Sequence, residues 1–150
     1  MNIEQEIQQK QFTSEYQKAH INVLFTASWL SQASGQALKP FQISWQQFNI
    51  LRILRGMRPE PATVKLLTER MIDKMSNASR LVDKLSKKGL VERTVCPADR
   101  RRVDIRITKE GLALLAEASA AMERSLENRM GALTPDEATE LNRLLDKMRD

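Results

Sequence analysis

Apolar side chains recur at steps of three and four along most of this chain, and in one short stretch they switch to alternation. Tyr16, His20, Val23, Leu24, Ala27 and Leu30 follow the helical step, and no proline interrupts them, so a long amphipathic helix is predicted over residues 3 to 36. Gly35 and Pro40 bracket the break after it. Ser44 and Gln47 form a capping box that opens a second helix through Phe48, Leu51 and Leu54, and "GMRPEP" stops it. Thr63 is placed to cap a short helix, "VKLLTERM", with Leu67 and Met71 facing inward. Asp73 is the predicted cap of the next, "KMSNASRLVDKLSKK", whose apolar stripe is Ala78, Leu81, Val82 and Leu85 and whose stop is Gly89. In "LVERTV" Leu90, Glu92 and Thr94 alternate with Val91, Arg93 and Val95, a strand signal. Pro97, Ala98 and Asp99 make a turn and "VDIRI" returns, so 90 to 107 reads as a β-hairpin with three arginines at or near its tip. Thr108 caps a long helix carrying Leu112, Leu115, Ala118, Met122, Leu126 and Met130 on one side. "TPDE" at 134 to 137 opens the last, with Leu141, Leu144, Leu145 and Met148.

Four helices, a hairpin and two helices make a mainly α fold with a small β-hairpin wing, of the α+β kind. Two helices with a tight join, followed by a hairpin, are the parts of a winged helix-turn-helix, here residues 41 to 108 of one unit spanning 1 to 150. The helical regions 1 to 36 and 109 to 150 lie outside that module. Their apolar stripes are broader than a 150-residue monomer covers, which predicts a helical dimerisation region and a homodimer.

Charge sharpens this reading once it is located. The chain carries +5 overall, but residues 62 to 109 hold 13 Lys plus Arg against 6 Asp plus Glu, a net of +7 that leaves −2 on the rest. A localised basic surface calls for a polyanion, and double-stranded DNA is the natural one. With one histidine, one cysteine and five glycines there is no metal-ligand cluster, no nucleophile and base pair and no phosphate-cradling loop, so no catalytic residue, metal or cofactor is expected. The lone Cys96 excludes an internal disulfide and fits a reducing cytoplasm. The longest apolar stretch, "INVLFTASWL", is broken by Asn22, Thr26 and Ser28, so no membrane span is expected, and "MNIEQEIQQKQF" does not read as a secretion signal.

With the stripe of the second paired helix turned to the core, Ser76, Asn77, Ser79 and Arg80 remain to face outward. Arg80 can donate two bonds to guanine, Asn77 can pair with adenine, and Ser76 or Ser79 can reach a base or phosphate. Lys84, Lys87 and Lys88 follow at phosphate-contacting positions. Arg100, Arg101 and Arg102 suit a narrow minor groove, because a guanidinium is weakly hydrated and donates in a fixed plane. Asp99 can accept from one of them and hold the tip's shape. The competing reading is a solvated helix face and a charged hairpin edge, in a winged helix used to bind protein.

From Thr63 to Leu114, about a third of the chain, the order "SRLVDKLSKKGLVER", "DRR" and "ITKEG" resembles the multiple-antibiotic-resistance regulator (MarR) family of bacterial transcription factors. Similar sequences often carry a glycine at the join of the paired helices, where this chain has Ile72 and Asp73. The resemblance implies DNA contacts at Ser76, Asn77, Ser79 and Arg80, and wing contacts at Arg100 and Arg101. It also implies a dimer interlocked through its first and last helices, on a near-palindromic operator. Repression relieved by a small aromatic or phenolic effector is implied as well, with His20, Trp29, Trp45 and Phe48 as candidate lining residues. Ordinary core or interface packing is the favoured account of those four, because apolar residues at helical spacing need no ligand to explain them.

Overall fold

The computed structural model describes all 150 residues. Its elements are α1 (Ile3–Glu6), α2 (Glu15–Leu38), a single 3-10 turn (Lys39–Phe41), α3 (Trp45–Met57), α4 (Val64–Arg70), α5 (Ala78–Lys87), β1 (Val91–Cys96), β2 (Asp99–Ile107), α6 (Lys109–Met130) and α7 (Pro135–Arg149). No helix is long and apolar enough to cross a membrane.

The helix predicted over 3 to 36 is in fact two. Asn2 caps a single turn closed by Gln5, and Gln8 then takes a left-handed conformation (φ 54°) that ends it. Ser14 restarts the chain by accepting from the Gln17 amide at 3.1 Å, and α2 runs past Gly35 to Leu38. Four further caps lie where residue chemistry places them: Ser44 with Gln47 on α3, Thr63 on α4, Thr108 on α6 and Thr134 with Glu137 on α7.

The core is one cluster at the centre of the winged module. Leu38, Ile50, Leu51, Leu54, Leu67, Met71, Val82, Leu85, Ile105 and Leu115 are fully buried in it. Each helix from α3 to α6 sends one stripe inward, and the inner halves of the strands close it with Val91, Ile105 and Ile107. The module gains a single-residue β-bridge that the pattern of residues does not announce. Ala62 donates to the Ile105 carbonyl (2.9 Å) and accepts from its amide (2.8 Å), tying the segment between α3 and α4 to β2.

By contrast, α7 buries no residue in this chain. Leu141, Leu144 and Met148 stand exposed along it, as do Leu24 on α2, Leu126 on α6 and Leu133 in the turn between α6 and α7.

Candidate nucleic-acid interface

The reading helix begins four residues later than its sequence pattern predicts. Asn77, not Asp73, is the cap: its side-chain oxygen accepts from the Arg80 amide at 3.1 Å, and α5 starts at Ala78. Residues 73 to 77 form a turn instead. In it Asp73 accepts from the Met75 amide at 3.0 Å and from Gln46 Nε2 at 3.4 Å. Hydrogen bonding from Gln46 and from the Met75 amide holds the Asp73 carboxyl below the usual aspartate range. No residue of the turn has a positive φ, so Ile72 and Asp73 serve at the join and no glycine is needed there.

A second anchor comes from α3. Asn49, buried there, accepts the Ile72 amide at 2.9 Å, so the turn is pinned to the core helix beneath it. Replacing Asn49 with alanine leaves that amide without its partner, which costs about 1–3 kcal/mol. The expected result is a lower urea midpoint with an unchanged denaturant slope.

Along α5, Ser79, Arg80 and Lys84 are exposed. Ser76 differs: its Oγ is shut off from solvent, although the residue lines the groove beside the helix together with Asn77 and Arg80. Leu81, assigned to the inward stripe, is only half-buried. Lys87 is exposed, whereas the Lys88 ammonium donates to the Gln42 carbonyl. Gln46, Asp73, Asn77, Arg80 and Lys84 line a shallow groove beside the helix.

The hairpin places its arginines by a break in register. Val95 pairs with Val103 but Cys96 with Asp99, so Arg100, Arg101 and Arg102 bulge out of β2 with no partner on β1. They therefore belong to the strand, beside a two-residue tip of Pro97 and Ala98. Asp99 shapes the bulge through the backbone, accepting the Arg101 amide at 3.0 Å. Arg102 turns back to Asp104 (Nε to Oδ1, 2.8 Å), a hydrogen bond that raises its already high pKa. Arg93 on β1 pairs with Asp83 on α5 and so links wing to helix. Arg80, Lys84, Arg100 and Arg101 enter none of the chain's five ion pairs.

The aromatic candidates do not converge. Phe48 is part of the core, and Trp45 is half-buried against it. Trp29, 38% exposed on α2, stacks under the Arg129 guanidinium at 4.6 Å from its ring centre. His20 is exposed on the same helix. A hollow of about 280 Å³ touches Trp29, but its other walls are Met1, Ile3, Glu6, Asn22, Phe25 and Thr26, so the expected four-residue lining is not assembled within one chain.

Residues 43 to 103, from the end of the 3-10 turn through the wing bulge, match the model of the MarR family. Among solved structures, a cysteine-to-serine mutant of MarR from E. coli complexed with operator DNA is 23% identical (TM-score 0.79; 93% of this chain and 99% of that one). The organohalide-sensing regulator RdhR in its 2,4-dichlorophenol-bound form is 22% identical (TM-score 0.82; 91% and 80%). These two share the fold. The MarR transcription factor from Planctomyces limnophilus goes further, at 32% identity over 91% of this chain and 98% of its own, with a TM-score of 0.70. A winged helix with this order of elements, matched by that family's model and by a full-length relative at that identity, belongs to the MarR family of transcription regulators.

Proposed function

We propose that the chain is a sequence-specific regulator that binds double-stranded DNA as a homodimer, with α5 in the major groove and the wing beside the adjacent minor groove. The observation that carries this is where exposed cations gather: Arg80, Lys84 and Lys87 on the reading helix and Arg100 and Arg101 in the bulge, none of them in an ion pair. Residues 62 to 109, which carry both the helix and the bulge, hold a net of +7 in a chain of +5, so the excess charge is local to this face. Arg80, in the first turn of α5, reads a guanine edge, and Ser79 and Asn77 flank it. Lys84 and the wing arginines hold phosphates or line the minor groove. Residues 41 to 108 are the reading module, and 1 to 36 with 109 to 150 make the dimer.

The test is a pair of variants on an operator selected from a random duplex pool. Arg80→Ala is expected to cost about 1–3 kcal/mol and to flatten discrimination at one base pair, while Arg101→Ala weakens all sequences evenly. An unchanged ranking of operator variants with Arg80→Ala removes its base-reading role.

The dimer rests on α7, whose apolar stripe nothing in one chain covers. Light scattering at micromolar concentration is expected to give twice the 17.2 kDa chain mass, and selected operators are expected to be near-palindromes with half-sites about 34–36 Å apart. A mass of one chain defeats this. Regulation is by repression, released when a small aromatic or phenolic molecule binds the DNA-incompetent dimer better. The dichlorophenol bound to RdhR supports that effector class. In a dimer, Trp29 and His20 on α2 become available to line its site.

A further inference from the structure

Two large apolar side chains stand in water at the join before the reading helix, Ile72 and, the more exposed of the two, Met75. Met75 is 93% exposed, while Met71, four residues earlier, is fully buried in the core. The backbone that carries Met75 is fixed, since its amide donates to Asp73 Oδ1 at 3.0 Å and the next amide, that of Ser76, donates to the Asp73 carbonyl at 3.2 Å. A flexible thioether on a rigid base, just before the reading helix, is therefore held out to whatever covers this face. The charge around it decides what that is: Arg80 and Lys84 stand unpaired on the adjoining helix, in a segment with a net of +7. The covering partner is a polyanion, and in duplex DNA the C5-methyl of thymine is the apolar group on the major-groove edge.

We propose that Met75 is a specificity-determining residue, packing its side chain on a thymine methyl at the edge of each half-site. The inference rests on the DNA-binding function proposed above. It also fills a gap in that function. Asn77 is the residue suited to adenine, but its side-chain oxygen is engaged as the α5 cap, and the cap sets how the carboxamide is turned. An A·T pair is then distinguished through its other strand, by the methyl. Methionine suits this contact because an unbranched, polarizable chain adapts to a small apolar knob.

The experiment replaces thymines of the selected operator one at a time with uracil, which lacks only that methyl. With the wild-type protein, one thymine in each half-site is expected to matter, its replacement alone lowering affinity about fourfold, the worth of one buried methyl group. Met75→Ala is expected to lower affinity for the thymine operator and to bind thymine and uracil forms equally, while Met75→Leu keeps a preference. Because the residue is exposed, all three proteins should melt together. Equal sensitivity to uracil in wild type and Met75→Ala, or no thymine whose methyl matters, overturns this contact while leaving DNA binding intact. Failure to select any operator overturns both.

Discussion

Raising monovalent salt from 50 to 200 mM is expected to weaken operator binding by about four powers of ten. Each phosphate neutralised releases bound counterions, so the logarithm of affinity falls with the logarithm of salt at a slope of about −0.9 per contact. Four exposed cations per chain outside any ion pair and placed to meet phosphates, Lys84, Lys87, Arg100 and Arg101, give about eight contacts in a dimer and a slope near −7. The neighbouring arginines sharpen the expectation. Arg93 and Arg102 already hold Asp83 and Asp104, so their charge is offset before DNA arrives. Arg100→Ala should therefore flatten the slope by about 2 for the dimer, and Arg102→Ala by much less. Filter binding or fluorescence anisotropy across the salt range measures both. A module that recognises protein would lack this steep, sequence-retaining dependence, and a slope shallower than about −3 would set the DNA function aside.

The order of elements and most caps are legible in the residues because each rests on local chemistry. Thr63, Ser44, Thr108 and Thr134 each accept from an amide three residues on, a contact that depends on nothing distant. The departures occur where a tertiary partner decides between local options. Asp73 is as good a cap as Asn77 by type, but Gln46 from α3 claims its carboxylate, and Asn49 holds the turn before it, so the helix waits for Asn77. The break between α1 and α2 is hidden for a different reason. Gln8 at positive φ is an uncommon choice that periodicity does not reveal, and the polar run "QQKQFTS" offers little apolar spacing to contradict a helix. The bulge is half legible: three consecutive arginines stand out in the sequence, but whether they occupy a loop or a strand depends on a register that only the pairing of Val95 with Val103 sets. The aromatic residues are the least informative, since helical spacing puts Phe48 in a core and Trp29 on an open face with equal ease.

Gly111→Ala is expected to destabilise the fold and detach the wing, although alanine is ordinarily the better helix former. A Cβ at Gly111, in the first turn of α6, would lie 2.2 Å from the Leu90 carbonyl oxygen and 2.7 Å from Ile107 Cγ1. Neither neighbour is free to yield. The Leu90 carbonyl accepts the Thr108 amide at 3.1 Å, and Thr108 Oγ1 both accepts from Gly111 (3.0 Å) and donates to the Gly89 carbonyl at 2.7 Å. Leu90 and Ile107 also belong to the buried base of the hairpin. Alanine must therefore push α6 away from both ends of the wing at once. Overpacking of this kind costs about 1–3 kcal/mol, more where backbone must move, against a helix-propensity gain of about 1 kcal/mol. The net expectation is a lower urea midpoint together with weaker DNA binding, because the displaced wing carries Arg100 and Arg101. Gly56, inside α3, provides the opposite case. A Cβ there would meet nothing within 4 Å, and the residue's φ is not positive, so Gly56→Ala should stabilise by about 0.4–1 kcal/mol. Two glycines in helices with opposite signs on the same substitution separate close approach from intrinsic propensity. If Gly111→Ala also stabilised, the tight seat of the wing on α6 would be wrong, and with it the rigid spacing between wing and reading helix on which gripping adjacent grooves depends.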